Sequence, residues 1–309
     1  MRNVISGSPS ILRRPATEKS NVELVNSLRS NLLAARESFA PAINGDTPSH
    51  LVHQQFLRSL PYTEWTTRED GYLFVPSVDF QQTGLAEGRS QYDITAKLFF
   101  LANSSATERS NYVKEAVNLV LRQLHVPSLD LLIVSFPGIS FDKPGDCEDP
   151  ISGKTTDTGE GEDLDLMVKT WHALEDLIDQ GLVQRIGIAE FGAERLQSFL
   201  PRIKIRPAVD QINLSDMCLV PKQFIEYAKQ HRIDVMNHSD CTNILPSGTL
   251  RELLGTGEKG ASVMLKPDEH GAGLRGDIKP RWVIKYTAVV HERGVIEDKG
   301  YFAMAQIDG

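Results

Sequence analysis

The 309-residue chain is poor in what marks several protein classes. It has three cysteines, Cys147, Cys218 and Cys241, widely spaced and odd in number, which excludes a disulfide scaffold and reads as free thiols of a reducing compartment. No apolar run reaches the ~18 residues a membrane-crossing helix needs, so a membrane protein is not expected. Met1 to Arg14 carries basic residues without a continuous apolar stretch, so a secretory leader is not expected either, and the cytoplasm follows by elimination. Basic residues are outnumbered: 33 Lys and Arg against 41 Asp and Glu give a formal charge of −8, which argues against a nucleic-acid partner because phosphates call for a basic surface. No Gly-x-Gly-x-x-Gly follows a strand pattern, which removes the commonest sign of a doubly wound dinucleotide fold.

What remains is ample apolar material, 40% of the residues, arranged with clear periodicity. Val25, Leu28, Leu32 and Phe39 place a helix over 21–39, after a loose Ser-, Pro- and Arg-rich start at 1–20. Tyr72–Val75 is a short strand. From Tyr92 onward strands and helices alternate. Strands are expected at Ile94–Leu101, Leu129–Phe136, Arg185–Ala189, Ala208–Ile212 and Ile233–Met236. Helices are expected around Val113–Leu124, Met167–Ile178, Glu194–Leu200 and Lys222–Gln230, followed by a last helix at Arg281–Glu292 and a closing strand at Val295-Ile296. Repeated βαβ units imply a parallel sheet, and a barrel is favoured over an open doubly wound sheet. The fold class expected is α/β, a (β/α)8 TIM barrel. An N-terminal extension over 1–60 is partly helical, and a single barrel spans 61–309. Residues 138–164, acidic and rich in Gly and Thr, and residues 247–280, with seven glycines, are too long for ordinary connections and read as two insertions. Asp157, Glu160, Glu162, Asp163 and Asp165 in the first read as a solvated acidic face.

Four pieces carry a family resemblance: Leu129-Asp-Leu-Leu-Ile-Val-Ser-Phe-Pro137, Trp171-His-Ala-Leu-Glu175, Gly181-Leu-Val-Gln-Arg-Ile-Gly187 and Pro207-Ala-Val-Asp-Gln-Ile212. In order and spacing they resemble the aldo-keto reductases. The resemblance implies an eight-stranded barrel with NADPH across the C-terminal strand ends, and carbonyl reduction assisted by a Tyr acid, a Lys, an Asp and a His. Lys97 falls at the family's Lys. Ser135 stands where the His belongs. No Asp-x-x-x-x-Tyr pair lies between Leu60 and Ser90: Asp70 and Tyr72 are wrongly spaced, and Glu87 and Tyr92 lie on the approach to Lys97's own strand. Ala189-Glu190 replaces the Ser-Asn that binds the nicotinamide carboxamide, whereas Gln211 matches the family's Gln and Lys299 corresponds to its 2′-phosphate-binding base, though beside Glu297 and Asp298. Lys97, Gln211 and Lys299 are thus candidate vestigial cofactor-binding residues. With the acid missing, no catalytic residue is assigned.

Further segments, Ala96-Lys-Leu-Phe99, Gln211-Ile-Asn-Leu-Ser-Asp-Met-Cys-Leu-Val-Pro221, Ala228-Lys-Gln230, Asn237-His-Ser-Asp240, Trp282-Val-Ile-Lys-Tyr286, Arg293-Gly-Val-Ile296 and Lys299-Gly-Tyr301, resemble the regulatory (modifier) subunits of glutamate–cysteine ligase. That resemblance implies a non-catalytic partner of the ligase's catalytic subunit, one that improves use of glutamate and ATP and relieves feedback inhibition by glutathione. Asn213, Asp216, Cys218, His238, Tyr301 and Phe302 are the candidate partner-binding residues. The bland alternatives are satisfied polar groups at a strand end for Gln211 and Asn213 and a buried inert thiol for Cys218. Lys97 is a relic with an acidic partner or a remnant nucleotide site. His238 and Cys241 are too few for a metal site. An NADPH-dependent reductase with displaced groups, or an NADPH-sensing module, are the competing functions.

Overall fold

The computed structural model describes residues 2–7, 20–39, 57, 60–101, 104–141, 163–213, 220–241, 243–257 and 260–308. Asp216 and Cys218 lie outside these residues, as does most of the expected insertion at 138–164. The chain forms two compact units, each discontinuous in sequence. The first comprises Met1–Gln82, Leu245–Val283 and Lys299–Gly309; the second, Thr83–Ile244 and Ile284–Asp298.

The second unit holds the alternating pattern. Strand β4 (Tyr92–Phe100), helix α2 (Ala106–Leu124), β5 (Leu129–Ser135), α3 (Leu164–Asp179), β6 (Val183–Ala189), α4 (Ala193–Phe199), β7 (Val209–Asn213), α5 (Lys222–Gln230) and β8 (Asp234–His238) follow in order. β4 through β8 pair as parallel neighbours, with Phe99 opposite Ser135, Leu132 opposite Ile186, Ala189 opposite Gln211 and Asn213 opposite His238. Parallel strands covered by helices must be apolar on both faces, and Leu132, Ile133 and Val134 are fully buried.

The helices begin and end where local chemistry dictates. Ser105 and Glu108 form a reciprocal capping box that satisfies free N–H groups at the start of α2. The buried face of α2 runs through Val113, Ala116, Val117, Val120 and Leu124, each fully buried and each contributing about 1–3 kcal/mol by leaving water. Asp163, from the expected acidic face, instead caps α3 by accepting the Asp165 N–H, and Gly181 (φ 70°) turns the chain out of it. Trp171 on α3 donates its indole N–H to the Ile205 carbonyl at 2.8 Å, while Glu175 accepts the N–H groups of Lys204 and Ile205. One helix thereby fixes the path of the chain into β7.

The first unit contains β1 (Arg2–Gly7), helix α1 (Ser20–Glu37), β2 (Thr67–Glu69), β3 (Tyr72–Val75), the short helix α6 (Thr249–Leu254), and parts of the long strands β9 (Asp277–Val290) and β10 (Val295–Asp308). Its strand order is β2-β3-β1-β10-β9. β1 pairs antiparallel with β10, Arg2 opposite Gln306, and parallel with β3. Leu28 and Leu32 are buried on α1 as expected, with Leu24 completing the stripe, whereas Val25 is half-buried and Phe39 is exposed.

Two expectations are corrected. The start of the chain is not wholly loose, because residues 2–7 are strand β1. Residues 281–292 are not a helix: the chain is strand β9 through Val290, then turns through Gly294 (φ 58°) into β10, which continues far beyond Val295-Ile296. Trp282, Tyr286 and Val290 satisfy both a helical and an alternating pattern. The intervening Ile284 and Ala288 are also buried while Lys285, Thr287 and Val289 are not, so the period is two, and the β-branched and aromatic content agrees. Among the described residues the strands of the second unit follow the hydrogen-bonded order β10-β9-β4-β5-β6-β7-β8, consistent with the expected (β/α)8 class although no pairing that closes the ring is present. The α/β architecture with its parallel strands is as the sequence implies.

Gly187 on β6 is a sensitive point. A Cβ there would lie 3.0 Å from the Val209 carbonyl oxygen and 3.3 Å from an Ile133 side-chain carbon. Gly187→Ala is expected to push β7 from β6 and cost about 1–3 kcal/mol in a denaturant titration; an unchanged midpoint would contradict this packing.

Candidate functional site

The C-terminal ends of parallel strands are where α/β proteins gather chemistry, because loops of independent sequence converge there. In the second unit these ends bring together Lys97 from β4, Glu190 just after β6, Asp210 and Asn213 from β7, and His238 and Asp240 at the end of β8. Lys285 of β9 joins them.

Lys97 is buried and has a partner. Its Nζ donates to Asp240 Oδ2 at 2.9 Å and sits 5.1 Å from the centre of the Phe99 ring. Burial pulls the amine below the usual lysine value, opposed by Asp240 and Glu190. Asp240 also receives Lys285 Nζ on Oδ1 at 3.2 Å. Although burial opposes ionisation, two ammonium groups win and hold its carboxyl down at about 2. One carboxylate therefore serves two lysines, a geometry in which the Lys97 charge is neutralised inside the protein.

Glu190 closes the other half of the cluster. It adopts φ 67°, an uncommon conformation for a residue with a side chain. Its Oε2 accepts the Phe141 N–H at 2.8 Å and its Oε1 the Asn213 N–H at 3.0 Å. His238 Nδ1 accepts the Asp240 N–H at 3.1 Å, so the ring proton belongs on Nε2, which lies 2.7 Å from Glu190 Oε1. Glu190 thus gathers chain following β5, the end of β7 and the end of β8. Two cations and two carboxylates leave this cluster balanced.

Asp210 is fully buried, accepts the Phe191 N–H at 3.3 Å, and leaves Oδ2 without a hydrogen bond. Burial, reinforced by Glu190, raises its carboxyl well above the ordinary range. The Oε1 of neighbouring Gln211 is likewise buried without a donor.

The sequence-derived residues distribute unevenly. Lys97, Gln211, Asn213 and His238 belong to this unit, and Asn213 donates through Nδ2 to the Asp240 carbonyl at 3.3 Å. Lys299 belongs to the first unit, where it pairs with Glu23 at 3.2 Å. Tyr301 and Phe302 lie within β10, only 2% and 1% exposed, so within the chain they are packed residues and not the surface positions their place in the sequence suggested. Tyr92, a possible displaced acid, bonds Glu297 at 2.6 Å from the start of β4, about 16 Å along the strand from Lys97. Tyr286 bonds Asp298 at 3.4 Å. The sequence reading missed Asp240, Lys285 and Asp210 as site members. All three stood inside quoted motifs, Asp240 in Asn237-His-Ser-Asp240, Lys285 in Trp282-Val-Ile-Lys-Tyr286 and Asp210 in Pro207-Ala-Val-Asp-Gln-Ile212, but no local pattern marked them as members of one cluster. Among the described residues, no group of three His, Cys, Asp or Glu could hold a metal ion.

Asp240→Asn leaves Lys97 buried without its counter-charge, with an expected loss of about 3–5 kcal/mol, whereas Lys97→Met combined with Asp240→Leu should recover most of it. Since the folded carboxyl titrates below its ordinary value, its stabilisation is complete above pH ~4 and disappears as pH falls toward 2, a dependence that Asp240→Asn should lack in urea titrations. Asp210 has the opposite sign. Its raised value makes ionisation destabilising as pH rises, so Asp210→Asn is expected to raise the melting temperature at pH 8 but not at pH 4.

A family model, described as the aldo/keto reductase family, matches residues 80–294, more than two thirds of the chain. The glutamate–cysteine ligase regulatory subunits of Mus musculus and Homo sapiens are 27% and 26% identical over 222 residues, covering 72% of this chain and 69% of theirs. The NADPH-dependent D-xylose reductase of Candida boidinii is 36% identical over 129 residues, 41% of this chain and 40% of that one. The solved aldose reductase of Giardia lamblia is 27% identical with a TM-score of 0.33, covering 47% of this chain and 44% of its own. With that match across residues 80–294, and the parallel strands that carry it, the chain belongs to the aldo/keto reductase family.

Proposed function

We propose that this chain is a non-catalytic regulatory subunit of glutamate–cysteine ligase, acting in the cytoplasm by binding the ligase's catalytic subunit. The observation that carries the reading is that the Tyr92 hydroxyl bonds Glu297 at the start of β4, while the Lys97 amine further along that strand bonds Asp240. Reduction of a carbonyl needs a proton donor beside the lysine. The Lys97 amine is bonded to a carboxylate ionised at neutral pH, while the Tyr92 and Tyr286 hydroxyls are bonded to Glu297 and Asp298. Similarity to regulatory subunits over most of the chain supports the same conclusion.

The residues do not fit NADPH as the family holds it. Glu190 places a carboxylate where a Ser-Asn pair would meet the carboxamide, and Lys299 is engaged with Glu23. Gln211, whose Oε1 lacks a donor, is the single feature in favour of an NADPH-binding module. Quenching of tryptophan fluorescence by NADPH would promote that second reading.

A regulatory subunit must bind one state of the ligase more tightly than another, since equal affinity for both shifts nothing. Mixing the chain with its cognate catalytic subunit is expected to lower the KM for glutamate and raise the glutathione concentration needed for inhibition, each by a factor on the order of 5–100. Unchanged constants at saturating partner would sink the proposal, as would Lys97-dependent NADPH oxidation with aldehydes.

A further inference from the structure

Within residues 247–280 the first unit has a depression of about 560 Å³, open to solvent and lined by Arg251, Leu265, Lys266, Pro267, Arg275, Gly276 and Asp277. The loop around it is held in a defined shape. Leu265 N–H donates to the Leu274 carbonyl and Leu274 N–H to the Val263 carbonyl, at 2.9 and 2.8 Å. Any Cβ on Gly273 would collide with Leu265 at 2.5 Å, and one on Gly276 (φ 111°) with the Asp308 carbonyl oxygen at 2.3 Å.

The two arginines make the wall. Arg251 donates to the carbonyls of Gly276 and Leu265 at 2.8 and 2.9 Å, and Arg275 to those of Pro267 and Glu269 at 3.1 and 2.6 Å. Carbonyl oxygens accept hydrogen bonds but bring no net negative charge, so both guanidiniums keep theirs. The acids at hand are Asp277 on the lining and Glu269 behind it. Glu269 is engaged by the Thr256 hydroxyl and the Lys266 N–H, and lies 3.9 Å from Lys266 Nζ. Three cations against two acids leave the depression positive in a chain whose formal charge is −8.

We propose that this depression binds a small organic phosphate. Its anionic head would meet Arg275 and Lys266 with the Arg251 charge behind, and its body would pack on Leu265 and Pro267. Carbonyls take two of the five N–H donors of Arg275, which leaves donors and an undiminished positive charge for a phosphate oxygen. The volume exceeds that of a bare anion and falls within the range for small organic ligands.

Adenosine 5′-monophosphate, adenosine and inorganic phosphate serve as probes in isothermal titration of the full chain. The nucleotide is expected to bind about ten-fold more tightly than inorganic phosphate, adenosine not measurably, and binding should weaken as salt rises. Lys266→Ala and Arg275→Gln should each weaken it about five-fold or more, whereas Lys229→Ala on α5 should not. Circular dichroism checks that the variants fold, and Arg275→Lys, which keeps the charge, should restore part of the affinity. No binding of the nucleotide at millimolar concentration, equal binding of the nucleotide and inorganic phosphate, or full binding by the Lys266→Ala/Arg275→Gln double variant would overturn the proposal.

Discussion

An ammonium group that leaves water must be given back a negative charge, and the placement of Lys97 at the end of β4 depends on Asp240 providing it. That requirement orders much of the second unit. Asp240 can reach Lys97 only if β8 takes its place beside β7, and its backbone N–H fixes the tautomer of His238. The imidazole in turn faces Glu190, which holds the chain after β5 and the end of β7. Charges at these strand ends are directed at one another. Internal neutralisation leaves the strand ends with a polar network that resists rearrangement, because loss of Asp240 takes the counter-charge from buried Lys97 and loss of Glu190 takes the acceptor from two backbone N–H groups.

Much of this unit is legible in the sequence. Lys222–Gln230 forms a helix over the expected residues, and the buried runs at Leu129–Ser135 and Val183–Ala189 are strands close to their predicted limits. Lys97 stood out because its neighbours match a family motif. Its acidic partner did not, because residues 97 and 240 are brought together by three intervening strands and no local pattern records such a meeting. Glu190 was legible only as an unwelcome charge. Its left-handed backbone, which turns the carboxylate toward two amide groups, is a tertiary outcome.

The region from 277 to 308 shows where periodicity misleads. Buried residues at 282, 286 and 290 suit a helix face, and only the burial of 284 and 288 in alternation with half-buried 285, 287 and 289 reveals a strand. The same difficulty hid β1: six residues with little apolar pattern gain their structure from partners hundreds of positions away. Tyr301 and Phe302 looked like surface anchors because the strand that buries them was expected to end at Ile296.

The pairing of β1 with β10 bears on how the chain is made. A ribosome releases Arg2 about three hundred residues before Gln306, so β1 must wait for its antiparallel neighbour, with β3 the earlier strand available to it. Closing so long a loop is slow but adds only logarithmically to the entropic cost. The first unit is therefore completed after the second, although residues 1–82 precede all of it.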